Sequence, residues 1–181
     1  MDYANIKSKV AKYNEILENT RTYRKQWHSD VKKLINSTLE KIIKQSNLNA
    51  YVEVKAEIEN LEVIGMSLGT EISGIAEKLP GNKIKRPFIK SNGSLIFQEL
   101  FNGKIMIMIM YPYIEGYGQP KPPKTLEILR PHELKVPFII RYVEEFLQEI
   151  IEWEDFDDDV PEKMGMNPIG FGAVRDRELD D

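Results

Sequence analysis

Ser67 is the residue whose surroundings come closest to those of a catalytic nucleophile. It lies in the segment GMSLG, from Gly65 to Gly69, which matches the G-x-S-x-G pattern. In that pattern a sharp turn between a strand and a helix exposes the serine to a histidine that accepts its proton. Here residues 70–77 are poor helix formers, and the only histidine downstream is His132. We therefore interpret the segment as a glycine-kinked strand and expect no serine-hydrolase activity.

Residues that commonly bind metals are scarce in this chain. There is no cysteine, which excludes disulfides, thiolate zinc sites and a cysteine nucleophile, and the two histidines are His28 and His132. The acidic run at residues 155–159 resembles the start of a calcium loop. However, Val160 stands where that loop needs glycine and Met166 where it needs glutamate. We predict no metal site, no cofactor and no catalytic residue.

Tyrosine, glycine and proline are concentrated in residues 111–123 (YPYIEGYGQPKPP), which predicts an irregular loop. Such a loop could contact a partner, or line a small-molecule pocket between itself and the sheet. Gln98, Glu99 and Glu115 are the polar groups that such a pocket could use. The candidate ligand or partner residues of the loop itself are Tyr111, Tyr113, Glu115 and Tyr117.

The elements that must position these residues begin with a long helix. The first glycine is Gly65 and the first proline is Pro80, so the start of the chain predicts an amphipathic helix over residues 3–45. That helix would be roughly 65 Å long, whereas a domain made from the remaining residues has a radius of gyration of only ~14 Å. Either it bends into a hairpin near residues 19–20 or 29–30, or part of it projects and packs on a partner.

Apolar residues recur along this helix at alternating steps of four and three, which is the spacing of a helix-pairing seam. We expect residues 31–43 to dock on the domain and residues 6–17 to pair with another helix. The predicted interaction residues are Tyr13, Leu17, Tyr23, Arg24 and Trp27. In the alternative, Arg24 lies along its own helix and Trp27 packs inside its own domain.

The middle of the chain predicts an antiparallel meander sheet of five to six strands within residues 51–114. Asn92-Gly93 and Asn102-Gly103 each suit a type I′ hairpin turn. The segment IMIMIM, residues 105–110, is apolar on both faces, so we expect the N-terminal helix to cover one face and the C-terminal helix or a partner the other. The expected strands are residues 51–59, 61–68, 70–76, 84–90, 95–101 and 104–111.

The end of the chain predicts a helix over residues 137–153, followed by a flexible acidic tail over residues 157–181. The expected fold is therefore α+β, with one domain over residues 1–156. It consists of the N-terminal helix or helical hairpin, the antiparallel sheet and the C-terminal helix.

Charge limits the classes of partner. The net charge is −4, with +5 in residues 1–46 and −11 in residues 144–181, so nucleic acid is an unlikely partner. No apolar run reaches the ~18 residues of a membrane span, and residues 1–10 lack the apolar core of a signal peptide. We expect a cytoplasmic, non-catalytic protein-interaction module that forms homo-oligomers, or binds another protein, through its N-terminal helix. A ligand-binding protein or enzyme with a pocket at the 111–123 loop is the alternative.

Overall fold

The chain begins with one long helix that contains a single wider turn. In the computed structural model, which describes residues 3–78 and 85–155, α1 spans Ala4–Gln26 and α2 spans Lys32–Ser46. Between them Trp27–Val31 forms a five-residue π-helical turn, in which the Lys32 N–H donates to the Trp27 carbonyl. Asn47, in the left-handed conformation, ends the helix. The predicted long helix is confirmed, and the chain is continuous through both segments where a hairpin could have formed.

The π turn aligns the residues with which the helix packs on the domain. Trp27, Val31, Ile35 and Leu39 are all buried and follow one another at steps of four. In an α-helix of 3.6 residues per turn, such steps drift steadily around the axis. A π turn closes its hydrogen bond over five residues and absorbs part of this drift.

The described residues form eight strands in two antiparallel sheets. In chain order they are β1 Tyr51–Lys55, β2 Val63–Ser67, β3 Thr70–Lys78, β4 Lys85–Ser91, β5 Ser94–Glu99, β6 Ile105–Met110, β7 Tyr113–Ile114 and β8 Lys124–Leu129. The larger sheet has the order β1-β2-β5-β6-β8 and the smaller sheet the order β3-β4-β7. β1 ends before the predicted boundary at residue 59, and β7 and β8 occupy segments for which the sequence predicts no strand.

Asn92-Gly93 is not a hairpin turn, so that prediction is wrong. β4 pairs with β3 and β7, whereas β5 pairs with β2 and β6, and the chain therefore passes here from the smaller sheet to the larger. Gly93 has a φ of 91°, and a Cβ on it would lie 2.8 Å from Ile150 Cδ1 and 2.9 Å from Met110 O. Glycine is needed because the chain crosses between sheets in close contact with a helix and a strand.

Asn102-Gly103 does connect two paired strands, β5 and β6, as expected. The turn is closed by a hydrogen bond from the Gly103 N–H to the Leu100 carbonyl, and only Gly103 has a positive φ, of 73°. A type I′ turn needs a positive φ at both central residues. The connection is therefore a type I turn followed by a left-handed glycine, not the predicted type I′ turn.

Both helices that pack on the larger sheet lie on the same face of it. α3 spans Val136–Glu154, which confirms the predicted C-terminal helix, and it follows a 3-10 turn at Pro131–Glu133. Of the two covers considered for the second face of residues 105–110, the C-terminal helix is wrong, because α3 shares one core with α2; a partner stays a prediction. The predicted acidic tail lies outside the described residues. The fully buried core side chains include Trp27, Ile35, Leu39, Ile64, Met66, Leu95, Phe97, Ile105, Ile107, Ile109, Ile139 and Phe146.

Candidate functional site

The first half of α1 extends beyond the rest of the described domain. Every residue from 3 to 18 is exposed, and α1 contains no buried residue. Ile6, Val10, Tyr13 and Leu17 are 57%, 51%, 60% and 43% exposed. Their steps of four and three place them along one side of the helix. We call this surface, with the neighbouring exposed Ile16, the α1 stripe.

The unpaired charge beside the α1 stripe is positive. The two carboxylates of this half of the helix are engaged within the helix itself, Glu15 with Lys12 at 3.0 Å and Glu18 with Arg21 at 3.3 Å. Lys7 and Lys9 form no ion pair with any residue that the structure describes. A partner surface must therefore accept apolar side chains together with nearby lysines.

The helix meets its own domain at residues 20–24. A Cβ on Gly103 would lie 2.7 Å from Tyr23 Cβ and 3.0 Å from the Arg24 backbone nitrogen, so the β5–β6 turn lies directly against the helix. Arg24 donates from Nη2 to the Phe101 carbonyl at 2.6 Å, and the Tyr23 ring is 6.2 Å from that of His132. These contacts fix the base of the projecting segment.

Trp27 packs inside its own domain, which was the alternative to its predicted role as an interaction residue. It is 0% exposed, and its indole N–H donates to Glu62 Oε2 at 3.0 Å. Lys32 donates to the same oxygen at 2.7 Å. Burial alone raises the pKa of Glu62, but the hydrogen bonds from Lys32 and Trp27 bring this pKa below its usual value. Glu62 therefore stays ionised and ties the π turn to the start of β2.

Glu99 lies beside this cluster at the inward-facing end of β5. Its side chain is 0% exposed, and neither carboxylate oxygen has a hydrogen-bond partner among the described residues. Burial raises the pKa of Glu99 and the neighbouring Glu62 carboxylate raises it further, while His28, the Glu62 backbone and Arg24 oppose the rise. A signal in the sequence is that Glu99 follows Leu95 and Phe97 at the inward positions of one strand.

The structure separates the five predicted interaction residues into two groups. Tyr13 and Leu17 lie on the α1 stripe, where a partner can reach them. Tyr23, Arg24 and Trp27 contact the turn, the 3-10 segment and the sheet of their own domain. The exposed group alone is available as an interaction surface.

The predicted tyrosine loop packs against α3. Tyr111 is buried, its hydroxyl donates to Glu149 at 2.7 Å, and Lys121 Nζ lies 3.7 Å from the centre of its ring. Lys124 donates to Glu145 and Glu149 at 3.0 Å and 2.6 Å. Burial, together with the hydrogen bond to Glu149, raises the pKa of Tyr111. Tyr111 therefore has a structural contact, and no free hydroxyl to offer a ligand.

The cavity at this loop lies between it and the end of α3. It has a volume of about 140 Å³, and its lining includes Tyr113, Tyr117 and Trp153. Glu115 instead borders a separate cavity beside β4, and Gln98 and Glu99 line neither. The structure thus does not bring together the polar groups expected to form one pocket. Ligand pockets for drug-sized molecules commonly have volumes of ≈ 300–1,000 Å³.

The second face of the larger sheet carries neither α2 nor α3, and a group of apolar residues lies on it beside polar ones such as Gln98 and Ser94. β6 directs Ile105, Ile107 and Ile109 into the core, so Met106, Met108 and Met110 point to this second face. Ile96 lies beside Met108 in the register of β5 and β6, and Ile128 lies beside Met106 in that of β6 and β8. We call this surface the open face and define it by Gly65, Ile96, Met106, Met108, Met110 and Ile128. Met110 and Ile128 are exposed, Ile96, Met106 and Met108 are half-buried, and Gly65 is buried.

Ser67 does not occupy a strand-to-helix turn. It ends β2, the next element is β3, and the Ser67 hydroxyl accepts a hydrogen bond from the Gly69 N–H at 3.1 Å. The hydroxyl is therefore engaged in a local turn between two strands. This agrees with the interpretation of the segment as a glycine-kinked strand.

Comparison of the chain with protein-family models, curated proteins and solved structures finds no match. Within the described residues, none of the helices combines the length and the apolar character needed to cross a lipid bilayer. The α1 stripe, the open face and the buried Glu62–Glu99 cluster are the features on which a function can be argued.

Proposed function

We propose that this protein is a non-catalytic interaction module that self-associates through the α1 stripe. The observation that carries the proposal is the exposure of Ile6, Val10, Tyr13 and Leu17, on about three helical turns that no other described element covers. Large apolar side chains gathered on one side of a projecting helix mark a surface that is covered in the working state. The cysteine-free composition is compatible with the cytoplasmic location that we assign to it.

The free energy gained by burying the α1 stripe can be compared with the free-energy cost of association for one docked helix and for two. Complete burial of one large apolar side chain contributes about 1.5–3 kcal/mol, so a half-exposed one retains about 1 kcal/mol. Five such residues give about 5 kcal/mol for each helix, whereas association costs an estimated 4–15 kcal/mol. One docked helix only offsets the lower part of that range. Two helices docked in a symmetric pair contribute about 10 kcal/mol, which reaches the middle of that range, so a symmetric pair is favoured over a single docked helix.

A ligand-binding function at the tyrosine loop has less support. The cavity there is about 140 Å³, and the Tyr111 hydroxyl is already bonded to Glu149. A larger cleft of about 530 Å³ lies between α2 and the 3-10 turn, but none of the predicted loop residues lines it. A differential-scanning screen against metabolites and metals is the direct check on ligand binding, because a ligand at ~100 times its Kd adds ~2.7 kcal/mol of stability.

The substitution Leu17→Asp tests the proposal. A charge at position 17 opposes burial of this end of the α1 stripe, so we expect a monomer at concentrations where the unchanged chain is a dimer. The control is Ile72→Asp on β3, which is also an exposed apolar position, at 67%, but lies outside α1. Light scattering gives both masses, and urea unfolding checks that each variant is folded.

A monomeric unchanged chain at every concentration contradicts the proposal. So does an unchanged dimer in the Leu17→Asp variant. Neither result can be attributed to unfolding, because Leu17 is 43% exposed and lies outside the core, and a substitution at an exposed position shifts the free energy of unfolding by only about 0.5 kcal/mol.

A further inference from the structure

We propose that the α1 stripe of one copy docks on the open face of a second copy, in a reciprocal pair. This inference rests on the self-association proposed above and names the surface that receives the helix. It joins the projecting apolar helix to the apolar sheet face that α2 and α3 leave uncovered.

The helix cannot reach the open face of its own molecule. α1 continues through the π turn into α2, and Trp27, Val31 and Ile35 fix that region on the opposite face of the sheet. The base of α1 is also held by the Gly103 turn. Since a helix and a sheet layer are each roughly 10 Å thick, a continuous helix anchored on one face cannot cover the other. An α1 helix that docks on the open face must therefore come from another molecule.

The dimensions of the two surfaces match. Fifteen exposed residues of α1, from 4 to 18, form a helix about 22 Å long. Five strands spaced about 4.8 Å apart are about 20–24 Å wide. The helix can therefore cross the whole sheet.

The buried area favours reciprocal docking. A half-exposed large apolar side chain offers roughly 100 Å², so the five residues of the stripe bury roughly 500 Å², and the receiving face a similar area. One docked helix thus buries roughly 1,000 Å², and two bury roughly 2,000 Å². Specific interfaces bury ≈ 1,200–2,000 Å², so only the reciprocal pair reaches the usual range.

The residues of the open face suit an apolar helix. Methionine side chains are unbranched and adapt to the shape of whatever packs on them, and Met106 and Met108 lie on this face on β6, between β5 and the edge strand β8. Gly65 has no side chain. A Cβ placed on it would lie 3.0 Å from Ile96 Cδ1, so the Ile96 side chain packs over this glycine. Glu53 lies opposite Gly65 in the register of β1 and β2, on the same face, and its carboxylate lies 3.9 Å from Lys55 Nζ.

Charge disfavours the simpler alternative in which two α1 helices pair with each other. The residues with unpaired charge beside the stripe are Lys7 and Lys9, while Glu15 and Glu18 are engaged within the helix. Pairing two such helices brings lysines next to the shared seam without a free carboxylate to meet them. When α1 docks on the open face instead, no lysine of a second α1 lies next to the stripe.

Disulfide trapping distinguishes the two arrangements, because the natural chain has no cysteine and each introduced thiol is unique. Full-length Tyr13→Cys is mixed with full-length Met108→Cys, one of them carrying a mass tag, and oxidised. A disulfide requires Cβ atoms about 3.5–4.5 Å apart. The pairs Tyr13→Cys with Ile96→Cys and Val10→Cys with Met108→Cys cover neighbouring registers of the docked helix.

We expect at least one of these pairs to form the mixed disulfide at least about tenfold faster than the control pair, since docking raises the effective thiol concentration to the millimolar range. The control is Tyr13→Cys with Ile72→Cys, whose second thiol is exposed outside the open face. Failure of every test pair to exceed this control overturns the inference.

The result also separates the inference from the proposal on which it rests. If Tyr13→Cys alone forms the disulfide efficiently and the mixed pairs do not, two α1 helices pair together; self-association then stands and the open face is not its site. If no test pair reacts and the unchanged chain is monomeric, both fail. As a second measurement, Met108→Glu is expected to reduce the dimer as Leu17→Asp does, and an unchanged dimer in Met108→Glu overturns the inference.

Discussion

Glu99→Gln is expected to stabilise the protein at neutral and alkaline pH. Glu99 is 0% exposed with no hydrogen bond to its carboxylate among the described residues, and burial raises its pKa. A buried polar group without a partner costs about 1–3 kcal/mol, and more when it is charged. Replacing the carboxylate by a neutral amide of the same shape removes the charge, so we expect a gain of about 1–3 kcal/mol at pH 8.

The pH dependence follows from the direction of the pKa shift. Because the pKa of Glu99 is raised in the folded state, the folded protein retains this proton at pH values where the unfolded chain has released it. The resulting stabilisation is complete below the unfolded value near 4.5 and is lost as the pH rises through the folded value. The advantage of Glu99→Gln should therefore be small at pH 4 and largest at pH 8.

Urea unfolding at both pH values measures this difference directly, and thermal unfolding at pH 8 should show a midpoint about 2–10 °C higher. Glu144→Gln on the outer surface of α3 is the matched control and should change the free energy of unfolding by less than about 0.5 kcal/mol. A loss of stability in Glu99→Gln, equal at both pH values, would refute the reasoning. It would mean that the carboxylate makes a net favourable interaction with Arg24 or His28.

Two further substitutions test how the base of α1 is held. Gly103→Ala should lower the free energy of unfolding by at least about 2 kcal/mol, because the new Cβ would lie 2.7 Å from Tyr23 Cβ at a φ of 73°. Gly74→Ala is the control, because Gly74 has a φ of 79° but open space around it, so this substitution strains the backbone without creating a close contact. An equal loss of unfolding free energy in both variants would contradict the argument from the Tyr23 contact. Trp27→Phe should cost about 1.5–3 kcal/mol in urea unfolding at pH 7, since it removes a hydrogen bond to the ionised Glu62. A loss of unfolding free energy below about 0.5 kcal/mol would show that the hydrogen bond from Lys32 alone is enough to stabilise the ionised Glu62 carboxylate.

Local sequence patterns predicted the elements whose signals are strong and continuous. The absence of glycine and proline before Gly65 indicated the long helix, and the apolar steps in residues 138–153 indicated α3. Asn-Gly pairs were less decisive. The same dipeptide makes a hairpin turn at residues 102–103 and a crossing between sheets at residues 92–93. Strand pairing is a long-range property that no dipeptide specifies.

The candidate surfaces were predicted only in part, because tertiary packing decides which predicted residues stay exposed. Tyr13 and Leu17 share a side of the helix through spacing alone, and the structure leaves that side exposed. Trp27 continues the same spacing, but the π turn and Glu62 bring it into the core, and both are tertiary features. The apolar alternation of residues 105–110 predicted two covered faces. It could not indicate that α2 and α3 both pack on the same one.

The most direct test of self-association through α1 is the absolute mass in solution of two chains, measured by light scattering over a concentration series. One is the full chain, and the other begins at Asn19, which removes the exposed turns of α1 but no core residue. The account predicts a dimer for the full chain and a folded monomer for the shortened one. A monomer for both chains, or a dimer for both, would contradict it.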